Sequence, residues 1–115
     1  MRLAIVSPLP PAPTGIADYT LEVARALAAS HSIELFHDQS PVSSSLPAPA
    51  FRIDELPPRA ALRPYDAVIY QMGNAPVHDF MYDWMERVPG VVVLHDLVLH
   101  HSYARRFLEI GRAHV

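Results

Sequence analysis

The sequence predicts an α/β fold in which helices cover both faces of a parallel β-sheet, a doubly wound arrangement. Strand-like and helix-like segments alternate along the 115 residues, as expected when each strand is followed by a crossover helix. Residues 91–94 form a continuous apolar run, which is typical of a strand buried on both faces. Half of all residues are hydrophobic, which is enough for the core of one domain of this length.

The first part of the chain contains two predicted strands joined by a helix. The strands are Leu3–Ser7 and Ser32–Phe36, and the helix runs from about Ile16 to Ser30. Asp18, near the helix start, suits the positive end of the helix dipole. Four residues at helical spacing form a stripe that we expect to face the sheet: Ile16, Tyr19, Val23 and Leu27.

The middle of the chain predicts a long surface connection within the domain. Residues 40–64 are rich in proline, which removes ladder hydrogen bonds, so at most a short edge strand near 51–53 is expected. Regular structure resumes with a strand at 66–71. A turn over 72–76 follows, and Pro76 suits the first position of the next helix.

This next helix is the most clearly amphipathic segment. Its apolar face is predicted to consist of Val77, Phe80, Met81, Trp84 and Met85. The residues expected to point away from the sheet are His78, Asp79, Asp83, Glu86 and Arg87. Pro89 and Gly90 end the helix before the strand at 91–94, and a last helix is expected from about Leu97.

The composition excludes several classes of protein. The chain has no cysteine, which excludes a disulfide scaffold, thiol catalysis and zinc–thiolate sites. Its 9 basic residues are all arginine and form no stripe, and the net charge is −3, so nucleic acid is not an expected partner. We see no basic leader and no long apolar segment, and therefore expect a cytoplasmic protein.

The last seven residues, 109–115, are expected to be an artefact. They read Glu-Ile-Gly-Arg-Ala-His-Val, which is the translation of a common sequencing adapter, GAG-ATC-GGA-AGA-GCA-CAC-GTC. On this interpretation the natural sequence is cut near Leu108, and residues 109–115 are excluded from fold reasoning. An ordinary helix end is the alternative.

Two strand-to-helix turns carry the candidate functional residues, because open α/β sheets bind ligands at the carboxyl ends of their strands. The first turn contains Gly15, where main-chain amides at the helix start could face an anion. A dinucleotide fingerprint needs three glycines and this loop has one, so Asp38 at the end of the second strand is weak evidence for a ribose site. Without lysine there is no Walker motif.

The second turn is His95-Asp96, which follows the apolar run at 91–94. His95 is the candidate catalytic residue, since the fold places it at a strand's carboxyl end. Gln71, Gly73 and Asn74 follow another strand and are expected to reach the same crevice, where amides can bind sugar hydroxyls. The spacing of His95 and His100 does not fit a helical metal site, so no metal is expected.

Three segments resemble the N-terminal domain of retaining glycosyltransferases of family 4, whose GT-B architecture pairs two Rossmann-like domains. The segments are 3–27, 65–74 and 90–101, and the run Gly-Ile-Ala-Asp-Tyr at 15–19 is the most specific. The resemblance implies a Rossmann-like sheet that forms the acceptor-side half of a GT-B enzyme. It also implies that Gly15 approaches the donor's diphosphate and that His95 contacts the reacting sugar.

The same resemblance extends to the other candidates and to the partners. Residues implied in substrate binding are Gly15, Ile16, Asp18, Tyr19, Gln71, Gly73, Asn74 and Asp96. The implied partners are a nucleotide-sugar donor, a sugar or lipid-linked acceptor and a C-terminal domain, with peripheral membrane association left open. No cofactor or metal is implied, because the nucleotide-sugar is a co-substrate. Many family members carry more glycines in the first loop, where this chain has prolines.

Two other classes remain open from the sequence. A stand-alone Rossmann-like module that binds a nucleotide or another ligand without catalysis fits the same strand pattern. A nucleotide-dependent oxidoreductase is disfavoured by the single glycine of the first loop. The donor sugar, the acceptor and the pathway are not specified by the sequence.

Overall fold

The computed structural model describes residues 1–95, which form a five-stranded, all-parallel sheet with helices on both faces. The elements in chain order are β1 (Arg2–Val6), α1 (Gly15–Leu27), β2 (Ser32–His37), β3 (Ala50–Arg52), α2 (Leu56–Leu62), β4 (Ala67–Met72), α3 (Met81–Arg87) and β5 (Val91–Leu94). Single 3₁₀ turns, Ile53–Glu55 and Pro76–His78, precede α2 and α3. The predicted α/β class with a doubly wound parallel sheet is confirmed.

The order of the strands across the sheet is β3-β2-β1-β4-β5. The chain therefore builds outward from β1 on one side, then crosses back and continues with β4 and β5 on the other side. This reversal places the topological switch point between β1 and β4. In open α/β sheets the crevice at the carboxyl ends of the two strands beside the switch point is the usual ligand site.

The core consists of two layers, one on each face of the sheet. Leu3 and Ile5 of β1 pack on the α1 side, whereas Ala4 and Val6 pack on the side of α2 and α3. This division follows from the two-residue period of a strand, which sends successive side chains to opposite faces. Buried on both faces, β1 is the central strand that the doubly wound fold requires.

The predicted apolar stripe of α1 is wrong by one residue. Ala17, Thr20 and Ala24 form the buried face, whereas Tyr19 has 48% of its surface exposed. Both stripes have the same helical spacing and differ by a rotation of one residue. Small side chains on the buried face let the helix approach the sheet closely. A search for large apolar residues at helical spacing does not identify such a face.

The proline-rich segment contains more structure than the sequence predicted. The short edge strand is confirmed as β3, but α2 was missed. Pro57 and Pro58 lie in the first turn of α2. The N–H groups of the first turn have no acceptor within the helix, so proline, which lacks an N–H, costs no hydrogen bond there.

The segment after β4 also differs from the prediction. The expected continuous helix is a 3₁₀ turn, Pro76–His78, followed by the seven-residue α3. His78, predicted to point away from the sheet, is completely buried. The 3₁₀ turn has three residues per turn instead of 3.6, so side-chain directions at its end depart from those of a continuous α-helix.

The prediction that strand 91–94 is buried on both faces is wrong. Val91, Val92 and Leu94 of β5 are 57%, 41% and 54% exposed. Within residues 1–95, β5 is an edge strand paired only with β4. An apolar run reports the preference for strand conformation, but it does not specify whether the strand is central or at an edge.

At the amino ends of the strands, Glu34 of β2 is the centre of a charged network. Its carboxylate forms ion pairs with Arg2 (3.0 Å) and Arg59 (2.7 Å) and accepts a short hydrogen bond from the Tyr65 hydroxyl. Burial by itself would raise the pKa of Glu34, but the hydrogen bonds from Arg59 and Tyr65 and the charge of Arg2 outweigh it. The pKa is therefore held below its ordinary value of 4.5.

We expect Glu34→Gln to lower the free energy of unfolding at pH 7 by roughly 1.5–3 kcal/mol, since it removes charged hydrogen bonds from a buried site. A lowered pKa stabilises the fold fully above the unfolded-state value, and this contribution is lost as the pH falls through the folded-state pKa. Urea unfolding at several pH values should show the gap between wild type and variant closing below pH 4.5. Glu22→Gln, at an exposed position of α1, is the control. A gap that widens toward low pH would contradict the assignment.

Candidate functional site

The carboxyl ends of β1, β4 and β5 form the candidate site, beside the switch point of the sheet. The loop from β1 to α1 is fixed at both ends. The Ser7 hydroxyl shares a 2.7 Å hydrogen bond with that of Thr20 in α1, and both are buried. Leu9 exchanges two main-chain hydrogen bonds with the Gln39 side chain, at 3.0 and 2.6 Å. The start of α1 is thus held in place relative to the sheet.

Thr14 caps the N-terminus of α1. Its hydroxyl accepts a 3.2 Å hydrogen bond from the main-chain N–H of Ile16, and its carbonyl accepts one from Ala17. Thr14 was not predicted as a site residue, although threonine directly before a helix is a common N-cap. An anion at this helix end would have to displace the Thr14 hydroxyl to reach the amide of Ile16.

Gly15 is the first residue of α1 and faces open space. A Cβ atom built on it would meet no atom within 4 Å, and its backbone does not adopt positive φ. Neither packing nor backbone conformation therefore requires glycine at this position. The open surface is what a ligand that approaches the main chain needs.

Three of the predicted site residues meet in direct contact. The His95 ring donates from Nε2 to Oε1 of Gln71 at 2.6 Å, and its edge-to-face contact with the Tyr19 ring has a centroid distance of 5.0 Å. The main-chain N–H of His95 donates to the carbonyl of Met72, which continues the pairing of β5 with β4 by one residue. One residue each from α1, β4 and the end of β5 is thus brought together.

The contact with Gln71 determines what the imidazole of His95 offers a ligand. An amide oxygen only accepts, so the proton of the neutral ring lies on Nε2. The lone pair then lies on Nδ1, which can accept a hydrogen bond from a hydroxyl group. The observed geometry therefore uses Nε2–H on Gln71 and leaves the acceptor nitrogen for a ligand.

His78 supports this arrangement from inside the protein. Its Nδ1–H donates to the main-chain carbonyl of Gln71 at 2.9 Å. Gln71 is itself only 2% exposed. The buried His78 ring therefore fixes the strand end that carries Gln71, and sequence reasoning missed it because it was assigned to the outer face of a helix.

The other predicted site residues are not joined to this contact. Asp18 is exposed in the first turn of α1, and Gly73 and Asn74 follow β4 as buried and half-buried residues. Asp96 lies outside the described residues, as do His100, His101, the helix expected from Leu97 and the segment 109–115. Roles for all of these residues stay predictions.

The end of β2 lies on the other side of β1. Asp38, considered as a ribose-binding acid, forms a 2.9 Å ion pair with Arg52. Burial and the nearby charge of Arg52 lower the pKa of His37. A ribose hydroxyl would thus have to compete with a guanidinium for the Asp38 carboxylate.

Two further observations bear on metals and membranes. Within residues 1–95, no three histidine or acidic side chains converge as they would around a metal ion. In the same range, every helix is too short or too polar to cross a membrane.

The comparisons with known proteins leave the family open. Neither the models of known families nor the curated proteins nor the solved structures give a match to this chain.

Proposed function

We propose that this chain is the acceptor-side domain of a retaining glycosyltransferase of the GT-B type, which transfers a sugar from a nucleotide-sugar donor. The observation that carries the proposal is the contact of Tyr19, Gln71 and His95 at the carboxyl edge of the sheet, beside the switch point. The segments that supply these residues are those that resemble the family. We also propose a cytoplasmic location and no need for a metal.

In this proposal His95 positions a sugar hydroxyl. Nδ1 accepts the hydroxyl proton in a hydrogen bond, while Gln71 holds the ring in one tautomer and one orientation. The half-exposed Tyr19 ring provides a flat apolar wall against which a sugar ring can pack. Fixed groups of this kind stabilise a transition state because they need no reorganisation during the reaction.

The N-terminus of α1 is proposed to face the diphosphate of the donor. A helix of 13 residues carries a partial positive charge at this end, and the open surface at Gly15 allows close approach to the main chain. In a retaining transfer the departing phosphate serves as leaving group and local base, so charge develops on it as the glycosidic bond breaks. The helix end stabilises that charge.

The experiment is a transfer assay on two proteins: this chain, and the longer product that includes the coding sequence downstream of the codon for Leu108. We expect the 115-residue chain alone to show no turnover of any nucleotide-sugar, and the longer protein to transfer sugar with retention of anomeric configuration. Turnover by the chain alone would contradict the proposal that it is only the acceptor-side domain. Inversion of the anomeric configuration by the longer protein would contradict the proposed retaining class. Nucleotide-sugar binding without transfer by the longer protein would support the stand-alone binding module instead.

A further inference from the structure

A cavity of about 270 Å³ lies at the amino ends of the strands, on the opposite edge of the sheet from His95. Its lining consists of Arg2, Glu34, Arg59, Leu62 and Arg63. Leu62 is 90% exposed, so the cavity opens to solvent at its rim. The candidate site described above uses none of these residues.

The charges around this arginine cavity are not balanced. Three arginines and a single residue with a carboxylate, Glu34, line it. That carboxylate already accepts from Arg2, Arg59 and Tyr65, which leaves little capacity for another donor. Another acid, Asp66, accepts from the main-chain N–H of Arg2 at 2.7 Å and is not one of the lining residues.

The guanidinium groups of Arg59 and Arg63 each carry N–H donors without a protein acceptor among residues 1–95. The Nε–H of Arg59 is shielded from solvent and has no hydrogen-bond partner within residues 1–95. The guanidinium of Arg63 forms no ion pair there, although its main-chain carbonyl accepts from Nε of Arg2 at 3.3 Å. Because Nε of Arg59 is shielded from solvent and the cavity is open to solvent, the Arg63 guanidinium is the group whose free donors a ligand in the cavity reaches first.

We propose that the arginine cavity binds a phosphate-like oxyanion, either free phosphate or the phosphate group of a small metabolite. A phosphate near neutral pH carries between one and two negative charges, which matches the excess of two guanidinium groups over carboxylates. Its oxygens accept from guanidinium forks, and several arginines can share one tetrahedral anion. The cavity volume exceeds what a single phosphate fills, so an attached organic group can enter as well.

The test uses the full 115-residue chain with inorganic phosphate as the probe, in calorimetric titrations at about pH 7.5, above the second pKa of phosphate. We expect Arg63→Gln to weaken phosphate binding about tenfold or more, the effect of one lost charged hydrogen bond. Arg25→Gln removes the same charge from an exposed position of α1 and should change the affinity by less than about twofold. Because the Arg63 guanidinium forms no ion pair in the described range, this variant should unfold like wild type in the absence of phosphate.

Each alternative result overturns the proposal. Undetectable binding of phosphate to the wild-type chain would contradict the proposed phosphate site directly. Equal weakening by Arg63→Gln and Arg25→Gln would show nonspecific attraction by net charge. Acetate binding as tightly as phosphate would show a site for small anions in general, without selectivity for a tetrahedral phosphate group. Glucose 1-phosphate, titrated in parallel, distinguishes the two sources of the anion: tighter binding than inorganic phosphate indicates a metabolite.

Discussion

If this chain is part of the glycosyltransferase proposed above, replacing His95 by alanine in the full-length protein is expected to lower kcat/KM for sugar transfer about 100- to 1000-fold, the usual effect of losing one positioned polar group. The variant loses the Nδ1 acceptor that we assign to a sugar hydroxyl, together with the ring that contacts Tyr19. The fold should survive, because His95 is exposed and its main-chain bond to Met72 does not depend on the side chain. Steady-state kinetics and thermal unfolding of the same preparation measure the two effects separately.

His31→Ala provides the matched control for this experiment. His31 lies at the amino edge of the sheet, where its ring contacts the amino group of Met1 at 3.0 Å. Sugar transfer should be unchanged in the control variant. An activity of His95→Ala within about threefold of wild type, a shift of roughly 0.7 kcal/mol, would identify His95 as an ordinary residue at a strand end.

Gly90→Ala is expected to destabilise the fold strongly. A Cβ atom at Gly90 would lie 2.3 Å from the main-chain oxygen of Val68 and 3.1 Å from the Tyr70 ring. Tyr70 is completely buried, its hydroxyl reaches main-chain carbonyls at the end of α3, and burial raises its pKa to about 12. The Val68 backbone and the buried Tyr70 ring can move only at a cost in packing energy. The free energy of unfolding should therefore fall by about 1–3 kcal/mol or more.

Gly15→Ala is the paired control for Gly90→Ala. The open space at Gly15 predicts a change within about 0.5 kcal/mol, since a helix start without positive φ accepts alanine. Thermal melts suffice for the comparison, as each kcal/mol shifts the Tm of a small domain by roughly 4 °C or more. Equal destabilisation by the two substitutions would show that Gly90 does not lie in close contact with the Val68 backbone.

Much of the site could be predicted because it follows from the sheet. Runs of strand-forming residues identified β1, β2, β4 and β5, and parallel strands bring their carboxyl ends to one edge. Gln71 and His95, which are 24 residues apart, were therefore expected in one crevice and are in contact there. The position of Tyr19 beside them was implied by the resemblance alone, because periodicity assigned it to the core.

What the sequence did not reveal depends on side-chain size and on local backbone geometry. Ala17 and Ala24 form the buried face of α1, yet small residues contribute little to a count of apolar periodicity. The burial of His78 follows from a 3₁₀ turn, whose period differs from that of the helix assumed there. The tautomer of His95 requires the position of the Gln71 amide, which no pattern of residue types specifies.

The most direct measurement is a ¹H–¹⁵N NMR titration of the labelled 115-residue chain with a panel of nucleotide-sugars and oligosaccharides. We expect the signals of Gly15, Tyr19, Gln71 and the His95 ring to move together with one member of the panel. Signals of Arg59 and Arg63, at the opposite edge, should stay fixed when a neutral oligosaccharide is the ligand. If none of the panel moves the signals of the carboxyl-edge residues, or if a sugar moves only signals elsewhere, the assignment of this crevice as the sugar site is contradicted.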